Sequence, residues 1–67
     1  MINKPLLKSK MILKDITQPD IAKALGLKLT TVNFKFNGKI IFKPREIKII
    51  KELLNLTPEE VTEIFLS

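Results

Sequence analysis

Sixty-seven residues with no cysteine, histidine or tryptophan allow one small domain, spanning 1–67, and exclude a disulfide framework and a Cys/His zinc site. The commonest general base and the most reactive nucleophile are missing, which argues against an enzyme, and the seven carboxylates form no paired site in the pattern. Twelve basic against seven acidic residues and a pI near 9.8 favour an anionic partner. The asymmetry is sharper than the total: residues 1–45 hold ten basic and two acidic residues, residues 46–67 two basic and five acidic.

A chain of this size buries only about 60% of the surface its unfolded form exposes, so a marginal core that gains from a second subunit is expected. No apolar run reaches the eighteen or so residues of a membrane span, and no signal peptide opens the chain, so the expectation is a cytoplasmic protein.

Glycine, proline and the polar caps divide the chain into five short helices, an all-α fold. Helix 1 is predicted from Pro5 to Lys14, with Leu7 and Met11 inward and Asp15 as a left-handed exit. Helix 2 opens at Thr17, whose hydroxyl caps the amide of Asp20, carries Pro19 in its first turn, places Ile21, Ala22 and Leu25 inward, and stops at Gly26. After only Gly26, Leu27 and Lys28, helix 3 begins with the apolar pattern Leu29, Val32 and Phe36, and Asn37-Gly38 closes it. Lys39 to Lys43 has no helical period and reads as a loop tucking Ile40, Ile41 and Phe42 partly under the domain, with a strand as the alternative. Pro44 and Glu46 start helix 4, which carries Ile47, Ile50, Leu53 and Leu54 and exits at Asn55. Thr57-Pro58-Glu59-Glu60 is a complete capping signature, so helix 5 runs from Pro58 to Leu66.

Two helices joined by three residues need a small residue at their crossing, a turn residue tolerant of positive φ and an apolar anchor on the second helix. Ala22, Gly26 and Val32 meet these needs. The stretch from Gln18 to Asn37 resembles the helix-turn-helix of the phage lambda repressor and Cro family. The likeness extends to Thr17-Gln18 ahead of Ile21-Ala22 and to Leu53-Leu54-Asn55-Leu56-Thr57 before the last helix. The ending Lys35-Phe36-Asn37-Gly38-Lys39 is similar to that of small Cro-type regulators of phages and prophages in Gram-positive bacteria.

Three departures stand out, the third being the large apolar Leu29 and Phe34 on the reading surface, which are less usual in that family. Where many members of that family hold a buried arginine in helix 1 and a glutamate late in helix 3, this chain has Met11 and Phe36. An ion pair replaced on both sides by apolar groups is compatible with the fold. Lys28 stands where a serine or threonine usually caps helix 3.

The resemblance implies a five-helix, lambda repressor-like DNA-binding domain acting as a transcriptional regulator, a Cro-type repressor, on double-stranded DNA. By the motif, Lys28, Leu29, Thr30, Asn33 and Phe34 are the base-reading positions. Lysine suits guanine, asparagine adenine, and threonine either a base edge or a thymine methyl. Leu29 and Phe34 either pack on thymine methyls or turn into the core. Thr17 and Gln18 at the start of helix 2 and Asn37, Lys39 and Lys43 after helix 3 match phosphate contacts, and Lys8 and Lys10 join them from helix 1. Four to six such contacts imply a salt slope of about −4 to −5 per half-site.

Specificity generally needs two copies. Val61, Ile64, Phe65 and Leu66 offer the apolar surface for a homodimer, or else cap the monomer core. No cofactor, metal or small-molecule ligand is expected, so regulation would follow concentration and turnover. The readings from other classes are a protein-interaction module on the same fold, antirepressor or antitoxin-like, and a membrane-surface peptide, against which the turn chemistry between the helices argues.

Overall fold

The computed structural model describes residues 2–66, which form five α-helices and, among those residues, no strand. They are α1 (Lys4–Leu13), α2 (Gln18–Leu25), α3 (Leu29–Phe36), α4 (Pro44–Leu54) and α5 (Pro58–Phe65). All five expected helices are present, with ends displaced by about one residue, as fraying makes usual. The strand alternative for Ile40 to Phe42 is not realised: that stretch is irregular.

Side-chain caps satisfy the free amides at three of the helix starts. Thr57 Oγ1 accepts from the Glu60 amide at 3.1 Å while the Glu60 carboxylate accepts from the Thr57 amide at 2.8 Å. Thr17 and Asp20 form the same reciprocal pair. Asn3, which the sequence pattern did not single out, caps α1 by accepting from the Leu6 amide at 3.2 Å. α3 has no side-chain cap: Lys28 occupies that position with extended backbone.

Four exits take the left-handed conformation, Asp15 (φ 55°), Gly26 (φ 69°), Gly38 (φ 77°) and Asn55 (φ 53°), all at positions expected to end a helix. At Gly26 the chain reverses within three residues, with the Leu27 amide donating to the Ala22 carbonyl at 2.9 Å. Apart from Gly26 and its two chain neighbours, no atom of the described residues lies within 4 Å of where a Cβ would stand on Gly26, so its requirement is one of backbone conformation alone. Gly26→Ala is expected to cost about 1–2 kcal/mol, read as a lower urea midpoint with an unchanged slope.

The core joins all five helices. Leu7 and Met11 of α1, Ile21, Ala22 and Leu25 of α2, Val32 and Phe36 of α3, Ile50 and Leu54 of α4 and Ile64 of α5 are buried, with Leu56 and the loop residue Phe42. Met11 and Phe36, the two apolar replacements, both lie in it. Phe42 links α3 to α5: its ring meets Phe36 edge-on at 5.9 Å and Phe65 at 5.4 Å between centroids. α2 packs against α3 and α4, and α5 against α1 and α4, while the Asn3 amide donates to the Ile64 carbonyl at 2.6 Å. Ile64 is fully buried, so it caps the monomer core and drops out of the expected dimer surface. Val61 and Phe65 are half-buried against the same core, and Leu66 alone of that set is largely exposed.

Candidate nucleic-acid interface

The helical period divides α3 into two faces. Val32, Lys35 and Phe36 point inward, while Lys28, just ahead of the helix, and Leu29, Thr30, Asn33 and Phe34 are all exposed. Leu29 and Phe34 remain 43% and 41% exposed, so neither completes the core. The ammonium of Lys39 lies 5.6 Å from the Phe34 ring centroid, an arrangement that holds a cation over the ring face.

The charge along the stretch of chain that holds this face has one sign. Between Asp20 and Glu46 the chain carries no carboxylate, against Lys23, Lys28, Lys35, Lys39, Lys43 and Arg45. Glu46 contributes no exposed negative charge, because it is buried against Lys35. Asn37, Lys39 and Lys43 are exposed beside the end of α3, and Lys8 is exposed on α1. Lys4, absent from the expected set, donates from Nζ to Asn37 Oδ1 at 2.7 Å and so adds a cation at the C-terminal end of α3. Thirty-three residues separate the two, and no local pattern announces the contact.

Three of the expected phosphate positions are engaged within the chain or partly covered. Thr17 is engaged internally: its amide and its hydroxyl both donate to Asp20 Oδ2 at 2.9 Å. Those hydrogen bonds from the Thr17 amide and hydroxyl hold the Asp20 carboxyl below its ordinary range, so a fixed negative charge stands where a phosphate was to be received. Gln18 beside it is half-buried. Lys10 is half-buried in an ion pair with Glu60, and is therefore already neutralised. Of the expected contact residues, Lys8, Lys28, Lys39 and Lys43 form no ion pair among the described residues and stay open to a polyanion.

Lys35, one of the ten basic residues of the first forty-five, is not at the surface. It is 4% exposed and pairs with Glu46 at 3.0 Å, while its Nζ also donates to the Ile41 carbonyl at 3.1 Å. Glu46 Oε1 accepts in addition from the Lys43 amide at 2.9 Å. Burial pushes the Glu46 carboxyl up, but the Lys43 amide and the Lys35 ammonium outweigh it and hold the group below the ordinary glutamate value. No buried side-chain polar atom among the described residues is left without a partner.

Fold and surface together define a small five-helix domain whose third helix presents an exposed face without carboxylates, rimmed by lysines. Residues 4–67 match the family described as a protein of unknown function, DUF739, and the chain belongs to that family. Neither the curated proteins nor the solved structures contain a match to it. Among the described residues no helix is long and apolar enough to cross a membrane, and no group of acidic side chains is placed to hold a metal ion.

Proposed function

We propose that this protein is a sequence-specific double-stranded-DNA-binding transcriptional regulator of the Cro type, in which α2 and α3 form a helix-turn-helix and α3 enters the major groove. The observation that carries this reading is the outward face of α3, exposed from Lys28 to Asn37 at every position that does not pack inward except the half-buried Thr31, within a 25-residue stretch, 21–45, free of carboxylates. An α-helix fits the major groove, and a recognition helix reads base edges from its N-terminal residues and one outward stripe. Asn33 is placed to bond adenine, Lys28 guanine, and Thr30 with Leu29 and Phe34 to meet thymine methyls. Lys8, Asn37, Lys39 and Lys43 serve the phosphates and fix the register.

A domain of this size covers a short half-site, so the reading includes a homodimer on a palindromic operator. With Ile64 in the core, the dimer rests on Leu66 and the partly exposed Val61 and Phe65. Selection from a random duplex pool tests both parts: a palindromic consensus with half-sites about one helical turn apart supports them, and a pool that does not enrich contradicts the function. On the selected duplex, Asn33→Ala is expected to cost about 1–3 kcal/mol and to relax the choice at one base pair, with little change on unrelated DNA. Titration by fluorescence anisotropy checks it.

A protein-interaction module on the same fold is the second reading, favoured by the partial exposure of Leu29 and Phe34 on one helix face. Binding to a protein that resists salt, with no DNA shift at low salt, would select it.

A further inference from the structure

The segment between α3 and α4 carries Asn37, Lys39 and Lys43, three of the four groups assigned to phosphates, yet it has little backbone bonding of its own. After the Lys39 amide, which donates to the Phe34 carbonyl at 2.9 Å, no residue from 40 to 42 joins a backbone-to-backbone hydrogen bond among the described residues. Its anchors come from side chains. The Lys35 ammonium holds the Ile41 carbonyl, the Glu46 carboxylate holds the Lys43 amide, and the two charged groups hold each other at 3.0 Å, both 4% exposed. Phe42 closes the arrangement from the apolar side, 5.7 Å from the Lys35 ammonium and edge-on to Phe36 and Phe65.

A buried ion pair is a poor means of stabilising a fold, since fitted apolar residues serve as well or better. What an ammonium and a carboxylate do that a leucine pair does not is bind backbone polar groups at defined positions. We propose that Lys35 and Glu46 are positioning residues for DNA binding, which lock residues 39–43 so that Lys39 and Lys43 present their charges to the backbone in a fixed arrangement. The inference rests on the DNA-binding reading and adds to it a pair that touches no DNA. The affinity gain is one of preorganisation: a loop already ordered loses less freedom when its lysines meet phosphates.

The test compares the full-length wild type with the double variant Lys35→Met/Glu46→Leu, in which both charges go together. Its urea midpoint is expected at or above that of wild type. Its affinity for a selected duplex is expected to fall about tenfold, with a salt slope shallower by about 1 to 2, the signature of one or two lost phosphate contacts. A double variant that folds and keeps both the affinity and the salt slope overturns the proposal.

A second measurement needs no variant. Backbone order parameters of residues 39–43 in the free wild-type chain are expected near about 0.85, like the helices, and values below about 0.6 overturn the locking role even if the double variant fails to fold. Failure of the wild type to bind any duplex at 50 mM salt overturns the DNA reading and the loop's role with it. Wild-type binding that the double variant matches overturns the positioning role alone.

Discussion

Glu46→Gln is expected to cost about 3–5 kcal/mol, because it leaves the Lys35 ammonium buried without a counter-charge. Lys35 is 4% exposed and, among the described residues, its one other hydrogen-bond partner is the Ile41 carbonyl, so water offers little compensation. Against a total of roughly 5–15 kcal/mol for ordinary domains, and less for so short a chain, the single variant should be largely unfolded at 37 °C. The double apolar variant should instead match or exceed wild type, by about 1–4 kcal/mol. Urea unfolding followed by circular dichroism separates the two.

The same pair sets an acid limit. Burial raises the Glu46 carboxyl and the Lys43 amide and Lys35 ammonium lower it further, so the folded group titrates below its ordinary 4.5. A lowered folded value means that the unfolded chain binds the proton more readily. The stabilisation is therefore complete above pH 4.5 and is lost as pH falls through the folded value. Asp20, held by the Thr17 amide and hydroxyl, and Glu60, held first by the Lys10 ammonium, carry shifts of the same sign. Wild type should thus weaken more steeply below pH 4.5 than the variant that lacks Glu46.

Raising salt from 50 to 200 mM is expected to weaken duplex binding about a hundredfold per domain. The three lysines assigned to phosphates, Lys8, Lys39 and Lys43, together with Lys4 beside Asn37, give a slope of about −3.6 at roughly −0.9 per phosphate neutralised. That is the shallow end of what four to six contacts imply, because Lys10 is already paired with Glu60. Alanine at Lys39 or Lys43 should reduce the slope by about 1 and weaken all sequences alike, whereas Asn33→Ala should discriminate among them. A slope near zero would instead favour a protein partner for the exposed side chains of α3.

What the sequence makes legible is what short-range chemistry decides. The Thr57-to-Glu60 cap and the exits at Asp15, Gly26 and Asn55 all follow from residues within one or two turns of each other. Contacts that bring distant chain segments together were not readable. Nothing near Lys35 distinguishes a buried lysine from an exposed one, and Glu46 reads equally well as an ordinary first-turn acid; only the return of the chain through the loop places them 3.0 Å apart. Lys10 with Glu60 and Lys4 with Asn37 are likewise products of tertiary packing. In α5 the spacing of Val61, Ile64 and Phe65 marks an apolar stripe without saying what covers it. The core takes Ile64 entirely and the other two in part.

Amide chemical-shift mapping of the full-length protein, titrated with a duplex recovered from the random pool, tests the assignment of the α3 face to DNA most directly. The predicted result is a contiguous set of perturbed amides at Lys28 to Phe34 and Asn37 to Lys43, with the exposed Ile12 and Leu13 at the end of α1 unmoved. Perturbation centred on α1 or α5 with the outward face of α3 silent would contradict the account.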